Sequence, residues 1–159
     1  MGTVDEMADD SGWHGHFDLV TMTANVAQVF LEDDEWLSTL QAIRTCVRLG
    51  GHLAFETRVP GDRAWKRWTK ELTRQVVDVP GEGMVEDWVH VTNVSCAFVT
   101  FESPTIFHVD GERLESTSTL RFRTQDELQV TLSQAGFIDI DIQDLLYAPG
   151  RGWLVIANT

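Results

Sequence analysis

Hydrophobic positions change their period along residues 17–60, and the changes divide this stretch into strand, helix and strand. The apolar run Phe17–Met22 is typical of a strand buried on both faces of a sheet. Large apolar residues then recur at helical spacing, at Trp36, Leu40, Ile43 and Val47. Gly50 is expected to end this helix, and His52–Thr57 is expected to form the next strand. A strand, a helix and a strand with short connections predict a parallel, right-handed βαβ unit.

The next part of the chain combines a helical pattern with a series of short strand patterns. Apolar residues at helical spacing predict a second helix over residues 62–76. Residues 84–123 are rich in β-branched and aromatic side chains, and Asp110-Gly111 within them is a strong hairpin signal. These residues are therefore expected to form an antiparallel β meander inserted in the fold, with Arg123 on its polar face.

The last part of the chain predicts one more helix and two strands. Thr124 and Glu127 have the spacing of a capping box, and Gly136 can end the helix that follows. Residues 137–146 and 153–157 are apolar-rich strands joined by a loop with proline and glycine, which allows an antiparallel return. The predicted fold class is therefore α/β, with a partly parallel sheet, an antiparallel last strand and the inserted meander.

Length and composition predict one globular domain with a flexible start. The 159 residues are 43% hydrophobic, which is enough for one sizeable core. Residues 1–16 are acidic and nearly free of branched apolar side chains, so we expect a flexible lead-in rather than a packed element. Residues 17–159 are expected to form the domain.

The formal charge of −13, from 25 acidic and 12 basic residues, bears on the choice of partner. Such a surface repels phosphate backbones and anionic lipid headgroups, so neither nucleic acid nor a membrane is expected as a partner. The sequence has no signal-peptide pattern and no apolar run long enough to span a bilayer, so a cytoplasmic location is expected. Cys46 and Cys96 lack the spacing of a metal or redox motif and are expected to be core thiols.

Two clusters of potential metal ligands are better explained without a metal. His14 and His16 could pair on an ion, but no third ligand follows at a fixed distance, so a pair of surface histidines is expected. The acidic run Glu32–Glu35 lacks the alternating ligands and central glycine of a calcium loop, and it complements the start of the first predicted helix. No metal site is expected.

Four segments of the chain resemble parts of the carboxy-terminal half of class I S-adenosylmethionine-dependent methyltransferases. They are FDLVTMTANVAQVF (17–30), VRLGGHLAFETRVP (47–60), TLRFRTQDELQVTLSQAGF (119–137) and WLVIANT (153–159). The resemblance implies a Rossmann-like sheet in which these segments supply or precede the family's fourth, fifth, sixth and seventh strands, in the order 4-5-7-6 with the last strand antiparallel. Residues 17–159 would then form a partial methyltransferase-like α/β domain, with residues 84–123 as its antiparallel insert.

The resemblance also implies S-adenosyl-L-methionine as the cofactor. The residues that would line its methionine end are Thr23, Ala24, Asn25 and Gln28. The family places a glycine-rich loop after its first strand, and no such loop is found before Phe17, because Gly12 and Gly15 follow no predicted strand. The cofactor site is therefore expected to be incomplete in a single chain.

Substrate-binding residues are implied at the end of the second predicted strand and just beyond it. By resemblance, Glu56 and Arg58 would face the substrate crevice, which open α/β sheets place at the carboxyl ends of their strands. Trp65 and Trp68 could stack on an aromatic substrate or pack in the core. No catalytic residue is assigned, because methyl transfer from a sulfonium is an in-line displacement in which the protein mainly orients the reactants.

Two functions of different classes follow from these observations. The first is methyl transfer from S-adenosylmethionine to a small molecule, with the site completed by a partner or an upstream segment and the activity of the single chain left open. The second is cofactor-free binding or assembly, by a chain that dimerises through the exposed sheet edge at Phe17–Met22. Both predict a homo-oligomer or a complementary chain.

Overall fold

Residues 3–159 are described by the structure, a computed structural model, and they form two compact units. One unit comprises the residues up to Asp62 together with Phe122–Thr159, and the other comprises Arg63–Arg121. The second unit begins at Arg63, whereas the insert expected from the sequence began at Met84.

The first unit combines packed helices with strands, whereas the second unit is mostly strands. The α-helices are α1 (Val4–Asp9), α2 (Asp33–Cys46), α3 (Lys70–Thr73) and α4 (Gln125–Gln134). The strands are β1 (Phe17–Met22), β2 (Val47–Arg58), β3 (Gln75–Val79), β4 (Gly83–Asp87), β5 (His90–Ser95), β6 (Phe98–Glu102), β7 (Thr105–Phe107), β8 (Arg113–Leu114), β9 (Thr117–Arg121), β10 (Ile138–Asp144) and β11 (Gly152–Asn158). Single 3-10 turns lie at Ser11–Trp13, Val26–Gln28, Pro60–Asp62 and Ala64–Arg67.

The first unit contains a four-stranded mixed sheet in the order β1-β2-β11-β10. β1 runs parallel to β2, with Val20 opposite Leu53, so the predicted parallel pairing is confirmed. β11 is antiparallel to both β2 and β10, which confirms the predicted antiparallel return of the last strand. Among the described residues, β1 and β10 each have a neighbour on one side only and are therefore the edges of the sheet.

The core of the first unit forms where α2 and α4 pack on this sheet. Trp36, on α2, is fully buried at its centre. Its indole ring meets the ring of Phe55 edge to face, with 5.8 Å between centroids, and its Nε1 donates a hydrogen bond to Thr131 Oγ1 at 3.0 Å. The capping box of Thr124 and Glu127 is present at the start of α4, as predicted. Helical periodicity therefore located both packed helices.

The predicted burial of β1 on both faces is wrong. Leu19 is 54% exposed, and Met22 alone on this strand is fully buried. A strand buried on both faces needs cover on each side, and the edge position of β1 leaves it partly open. Asp18 on the same strand forms an exposed ion pair with Arg48, whose hydrogen bond lowers the pKa of the Asp18 carboxyl.

The helix α2 ends at Cys46, four residues before the glycine that was expected to end it. Val47 has an extended backbone and already pairs with Phe17 as the first residue of β2. The register between β1 and β2 then shifts, and Gly50, with φ of 73°, lies in this irregular part of the strand. Gly50 therefore provides the positive φ of a bulged strand and does not end the helix.

The start of the chain is also more structured than its composition predicts. A capping box between Thr3 and Glu6 begins α1, and Val4 packs against the core. The expectation of an unpacked lead-in over residues 1–16 is wrong for the part that the structure describes, and residues 1 and 2 lie outside the described residues. Cys46 is buried as expected, but Cys96 is exposed, because it occupies the turn between β5 and β6 with a left-handed backbone.

The second unit has two small antiparallel sheets instead of one meander. Their strand orders are β3-β4-β7-β8 and β5-β6-β9. The helix predicted over residues 62–76 is wrong: Arg63 has a left-handed backbone, the helical parts are only a 3-10 turn at Ala64–Arg67 and the single turn of α3, and Gln75–Val79 is a strand. The β-branched residues of this strand favour pairing with β4 over a long helix. The arms flanking Asp110-Gly111 pair only briefly, through β7 and β8.

In the second unit, basic side chains surround a buried carboxylate. Glu86 is 8% exposed, and Arg74 Nε donates a 2.7 Å hydrogen bond to its Oε1. Lys70 Nζ lies 3.7 Å from the same oxygen, and His108 Nε2 lies 3.1 Å from Oε2. The hydrogen bond from Arg74, followed by the one from His108, lowers the pKa of Glu86 to about 2.

Replacement of Glu86 by glutamine should make the stability of the chain less dependent on pH. The folded pKa of Glu86 lies below its ordinary value of 4.5, so its contribution is complete above about pH 4.5 and is lost as the pH falls toward 2. We expect the urea midpoint of Glu86→Gln to lie below that of the wild type at pH 7, with a smaller difference at pH 3. Glu115→Gln, which breaks an exposed pair with Arg113, is the matched control. An equal difference at both pH values would contradict this role.

Candidate functional site

The loop that follows β1 has an unusual backbone. Ala24 and Asn25 are consecutive residues in the left-handed region, with φ of 56° and 58°. Asparagine tolerates this conformation, whereas for alanine it costs about 1–2 kcal/mol. The loop begins at the carboxyl end of a strand in a partly parallel sheet, which is where α/β sheets bind ligands. Strain of this kind at such a position suggests that the loop geometry serves a function.

A partly buried hydrogen bond ties this loop to the end of β2. Gln28 is 1% exposed, and its Oε1 accepts a hydrogen bond from Arg58 Nη1 at 2.8 Å. Burial lowers the pKa of the Arg58 guanidinium, and the nearby charge of Glu56 partly offsets that effect. Even with this lowered pKa, the guanidinium stays protonated at neutral pH. Arg58 therefore holds the turn Val26–Gln28 in place.

Arg123 is a second cation behind the loop, and the sequence analysis placed it wrongly on a polar face. Its side chain is 2% exposed, its Nη1 donates to Ala27 O at 3.4 Å, and its guanidinium lies 4.9 Å from the centroid of the Trp36 ring. The alternation of the predicted meander does not extend to Arg123, because β9 ends at Arg121 and α4 begins soon afterwards. Its burial among aromatic and backbone groups follows from that connection.

A small cavity opens beside the loop, between the ends of β1 and β2. Its volume is about 200 Å³, and the residues that line it are Thr21, Met22, Thr23, Ala54, Phe55, Glu56 and Leu154. Glu56 is half-buried there, and its Oε2 accepts a 2.6 Å hydrogen bond from the hydroxyl of Tyr147. This hydrogen bond raises the pKa of Tyr147, so the phenol stays neutral and acts as a donor at neutral pH.

Tyr147 is a site residue that the sequence analysis missed. It is the only tyrosine of the chain, and it is 72% exposed in the loop between β10 and β11. Because β11 lies beside β2, this loop returns to the end of β2 where Glu56 lies. The sequence did predict that the last strand returns antiparallel to β10. That prediction could have placed Tyr147 near Glu56 only if β2 had been known to be the other neighbour of β11.

The structure brings together most, but not all, of the residues predicted for the site. Thr23 and Glu56 line the cavity in the first unit. Gln28 and Arg58 form the buried pair behind it. Trp65 and Trp68 belong to the second unit, where both are half-buried and where Trp68 meets Phe101 edge to face at 5.2 Å between centroids. Their roles as substrate-binding residues stay a prediction.

Residues 3–159 contain neither a cluster of metal ligands nor a membrane-spanning helix. In this range, no group of three or more histidine, cysteine, aspartate or glutamate side chains is arranged to hold a metal ion. His14 Nε2 lies 2.6 Å from Ala8 O, and His16 packs against the rings of Trp13 and Phe17. None of the helices described here has the length and apolar character needed to cross a bilayer.

Comparison with solved structures identifies the fold. The sugar N-methyltransferase KedS8 from Streptoalloteichus sp. matches with a TM-score of 0.69 and 18% identity, over 96% of this chain and 59% of its own. The CcbJ methyltransferase from Streptomyces caelestis matches with a TM-score of 0.68 and 14% identity, over 96% and 61%. CalS10 from Micromonospora echinaspora, an amino pentose methyltransferase solved with S-adenosylmethionine bound, matches with a TM-score of 0.65 and 15% identity, over 91% and 59%.

These likenesses show that the chain has the mixed α/β fold of class I S-adenosylmethionine-dependent methyltransferases. The chain spans about three fifths of the length of these three structures. No protein-family model matches the sequence, and no curated protein matches it.

Proposed function

We propose that this chain is a S-adenosylmethionine-dependent methyltransferase whose described residues form the methionine side of the cofactor site. The order β1-β2-β11-β10, with a single parallel pair and an antiparallel β11, supports the proposal, and we match it to the order 4-5-7-6 that the family resemblance implies. The likeness to methyltransferase structures supports the same correspondence.

The residues around the loop after β1 fit the methionine end of S-adenosylmethionine. The left-handed backbone at Ala24 and Asn25 turns the chain sharply at the end of a parallel strand, beside the cavity of about 200 Å³. Thr23 is exposed and Asn25 half-exposed, so a hydroxyl and a carboxamide are available to an amino acid group. Gln28 is buried against Arg58, and we assign it to holding the loop rather than to touching the cofactor.

The acceptor side of the reaction would involve Glu56. S-adenosylmethionine supplies a methyl group already activated on a sulfonium, so the protein has mainly to orient the acceptor and exclude water. Glu56 Oε1 and Oε2 can accept a proton from an amine or hydroxyl of the acceptor, while the Tyr147 hydroxyl fixes the carboxylate. We propose a small-molecule acceptor, with support from KedS8 and CalS10, which are named as sugar methyltransferases.

The adenosine side of the site is proposed to come from outside residues 3–159. Within this range no strand is followed by a glycine-rich loop that opens a helix, which is the arrangement that receives a nucleoside in Rossmann-like sheets. We propose that a preceding segment or a complementary chain supplies it. The proposal therefore predicts that this chain recognises the two ends of the cofactor unequally.

Saturation-transfer NMR with S-adenosylhomocysteine tests this prediction, because it detects weak binding and reports which ligand protons approach the protein. We expect strong transfer to the methylene protons of the homocysteine half and weak transfer to the adenine protons. Adenosine alone is the control and should show little transfer. No transfer to S-adenosylhomocysteine at millimolar concentration, or stronger transfer to adenine than to the homocysteine half, would contradict the proposal.

A second candidate function, assembly through the sheet edge, is favoured by the surface of β1. A mostly apolar cavity of about 250 Å³ borders this strand, lined by Val4, Met7, Phe17, Leu19, Val20, Ile43 and Cys46. Edge strands expose hydrogen-bonding groups that pair with another strand, and apolar side chains beside them favour burial. We propose that a second copy of this chain covers the edge in a two-fold dimer.

Leu19→Lys should dissociate this dimer. The substitution places a charge on the exposed apolar edge, where burial against a second copy would require its desolvation. Sedimentation at micromolar concentration should give twice the chain mass for the wild type and the chain mass for Leu19→Lys. Val130→Lys, at an exposed apolar position on α4, is the matched control and should stay dimeric. A wild type that is strictly monomeric would rule out the assembly function.

A further inference from the structure

An open cleft lies entirely within the second unit. Its volume is about 580 Å³, and it is lined by Trp65, Lys66, Trp68, Thr69, Lys70, Glu71, Trp88, His90 and Val91. The residues come from the 3-10 turn Ala64–Arg67, from α3, from the start of β5 and from the connections that precede α3 and β5. Three of the six tryptophans of the chain are therefore gathered at one concave surface.

The cleft also carries a local excess of positive charge on an acidic protein. The chain has only two lysines, Lys66 and Lys70, and both line the cleft. Residues 63–74 hold five of the 12 basic residues and a single acidic one, Glu71, although the whole chain has a formal charge of −13. The lining itself carries two lysines against Glu71, a small excess of positive charge that attracts small anions, while the acidic remainder of the surface repels large polyanions.

The two lysines are placed differently. Lys70 Nζ lies 3.5 Å from the centroid of the Trp88 ring and 3.7 Å from Glu86 Oε1, so it is held by a cation–π contact and an ion pair. Lys66 is exposed, and among the described residues it forms no ion pair. Lys66 is therefore the cation that can turn toward a ligand without breaking an interaction of the fold.

The tryptophans supply the apolar part of the surface. Trp88 is 6% exposed and forms part of the packed interior, whereas Trp65 and Trp68 are half-buried and keep part of their surface open. Indole rings stack on flat aromatic rings and on the apolar faces of sugar rings. Indole surface beside a mobile ammonium is complementary to a molecule that combines a ring with a negative charge.

We propose that this cleft binds a small organic anion that carries a ring, either a sugar bearing a phosphate or an aromatic carboxylate. The ring would lie against Trp65 and Trp68, and the acidic group would meet Lys66. The proposal of a binding site in this cleft does not rest on the proposed methyl transfer. Binding is therefore measured without S-adenosylmethionine, so that failure of the cleft and failure of methyl transfer are separate results.

Tryptophan fluorescence of the full chain tests the cleft by titration with four probes. Glucose 6-phosphate and benzoate each combine a ring with an anion, glucose has the ring alone, and inorganic phosphate has the charge alone. We expect saturable binding of at least one ring-bearing anion, about tenfold tighter than glucose or inorganic phosphate, because two kinds of contact act together. Binding of glucose 6-phosphate but not benzoate identifies a sugar ligand, and the reverse identifies an aromatic one.

Variants then locate the binding site. Lys66→Ala should weaken binding of the ring-bearing anion about tenfold, as expected for loss of one charge-assisted hydrogen bond. Arg151→Ala removes an exposed cation from the first unit and should leave binding unchanged. Trp65→Leu tests the same site independently. It should weaken binding of the ring-bearing anion more than binding of inorganic phosphate. No saturable binding of either ring-bearing anion, or equal binding by wild type and Lys66→Ala, would overturn the proposal.

Discussion

Replacement of Trp36 by alanine is expected to lower the free energy of unfolding by about 3–5 kcal/mol, the usual cost of removing a large buried aromatic side chain. Trp36 has no exposed surface. Its ring contacts Phe55 and Phe30, its Nε1 donates to Thr131 Oγ1, and Arg123 lies against its face. The alanine variant therefore loses apolar burial, a hydrogen bond and a cation–π contact at once. Urea denaturation followed by far-ultraviolet circular dichroism measures the loss.

Trp13→Ala is the matched control for this prediction. It removes the same number of atoms from a position that is 37% exposed, where the indole stacks on Phe17 at 5.5 Å between ring centroids. We expect a loss of about 1 kcal/mol, as for one exposed aromatic pair. Equal losses in Trp36→Ala and Trp13→Ala would mean that the core of the first unit is not centred on Trp36.

Arg58→Leu is expected to destabilise the chain by about 1–3 kcal/mol and to weaken binding of S-adenosylhomocysteine. The substitution removes the donor to Gln28 Oε1, an oxygen that is buried beneath the loop after β1, and loss of a donor to a buried acceptor has this cost. The left-handed pair at Ala24 and Asn25 then loses its support from β2 and relaxes. Urea denaturation measures stability, and saturation-transfer NMR measures binding of the ligand.

The double variant Gln28→Leu, Arg58→Leu separates the two effects. Replacing both polar partners by apolar groups removes the buried acceptor as well as its donor, so stability should recover part of the loss. Ligand binding should stay weak, because the loop is still not tied to the end of β2. Recovery of both stability and binding in the double variant would show that the pair has no role in shaping the ligand site.

The sequence predicted the first unit better than the second, for physical reasons. The stripe of Trp36, Leu40 and Ile43 is a strong helical period, and the capping box at Thr124 fixes the start of α4 locally. In residues 63–79, by contrast, the spacing of the tryptophans favours a helix, whereas the β-branched residues that follow favour a strand. The strand forms because β3 pairs with β4. Whether a short segment forms a strand in a small sheet depends on its pairing with residues that are distant in sequence. Local periodicity carries no information about those partners.

The candidate site was predictable in its position but not in its contacts. The carboxyl ends of β1 and β2 follow from the βαβ pattern, and Thr23 and Glu56 line a cavity there, while their roles in binding stay a prediction. The left-handed backbone at Ala24 has no signal in the sequence, because alanine gives no indication of positive φ. The hydrogen bond from Tyr147 to Glu56 joins residues 91 positions apart and required the position of β11 in the sheet.

The most direct test of the central claim is the amide NMR spectrum of the ¹⁵N-labelled chain during titration with S-adenosylhomocysteine. If the loop after β1 forms the methionine side of the cofactor site, the amide signals that move should be those of residues 23–28 and of Glu56, while signals of residues 63–121 stay in place. Unchanged signals for residues 23–28 at millimolar ligand, or shifts confined to the second unit, would contradict the proposed function.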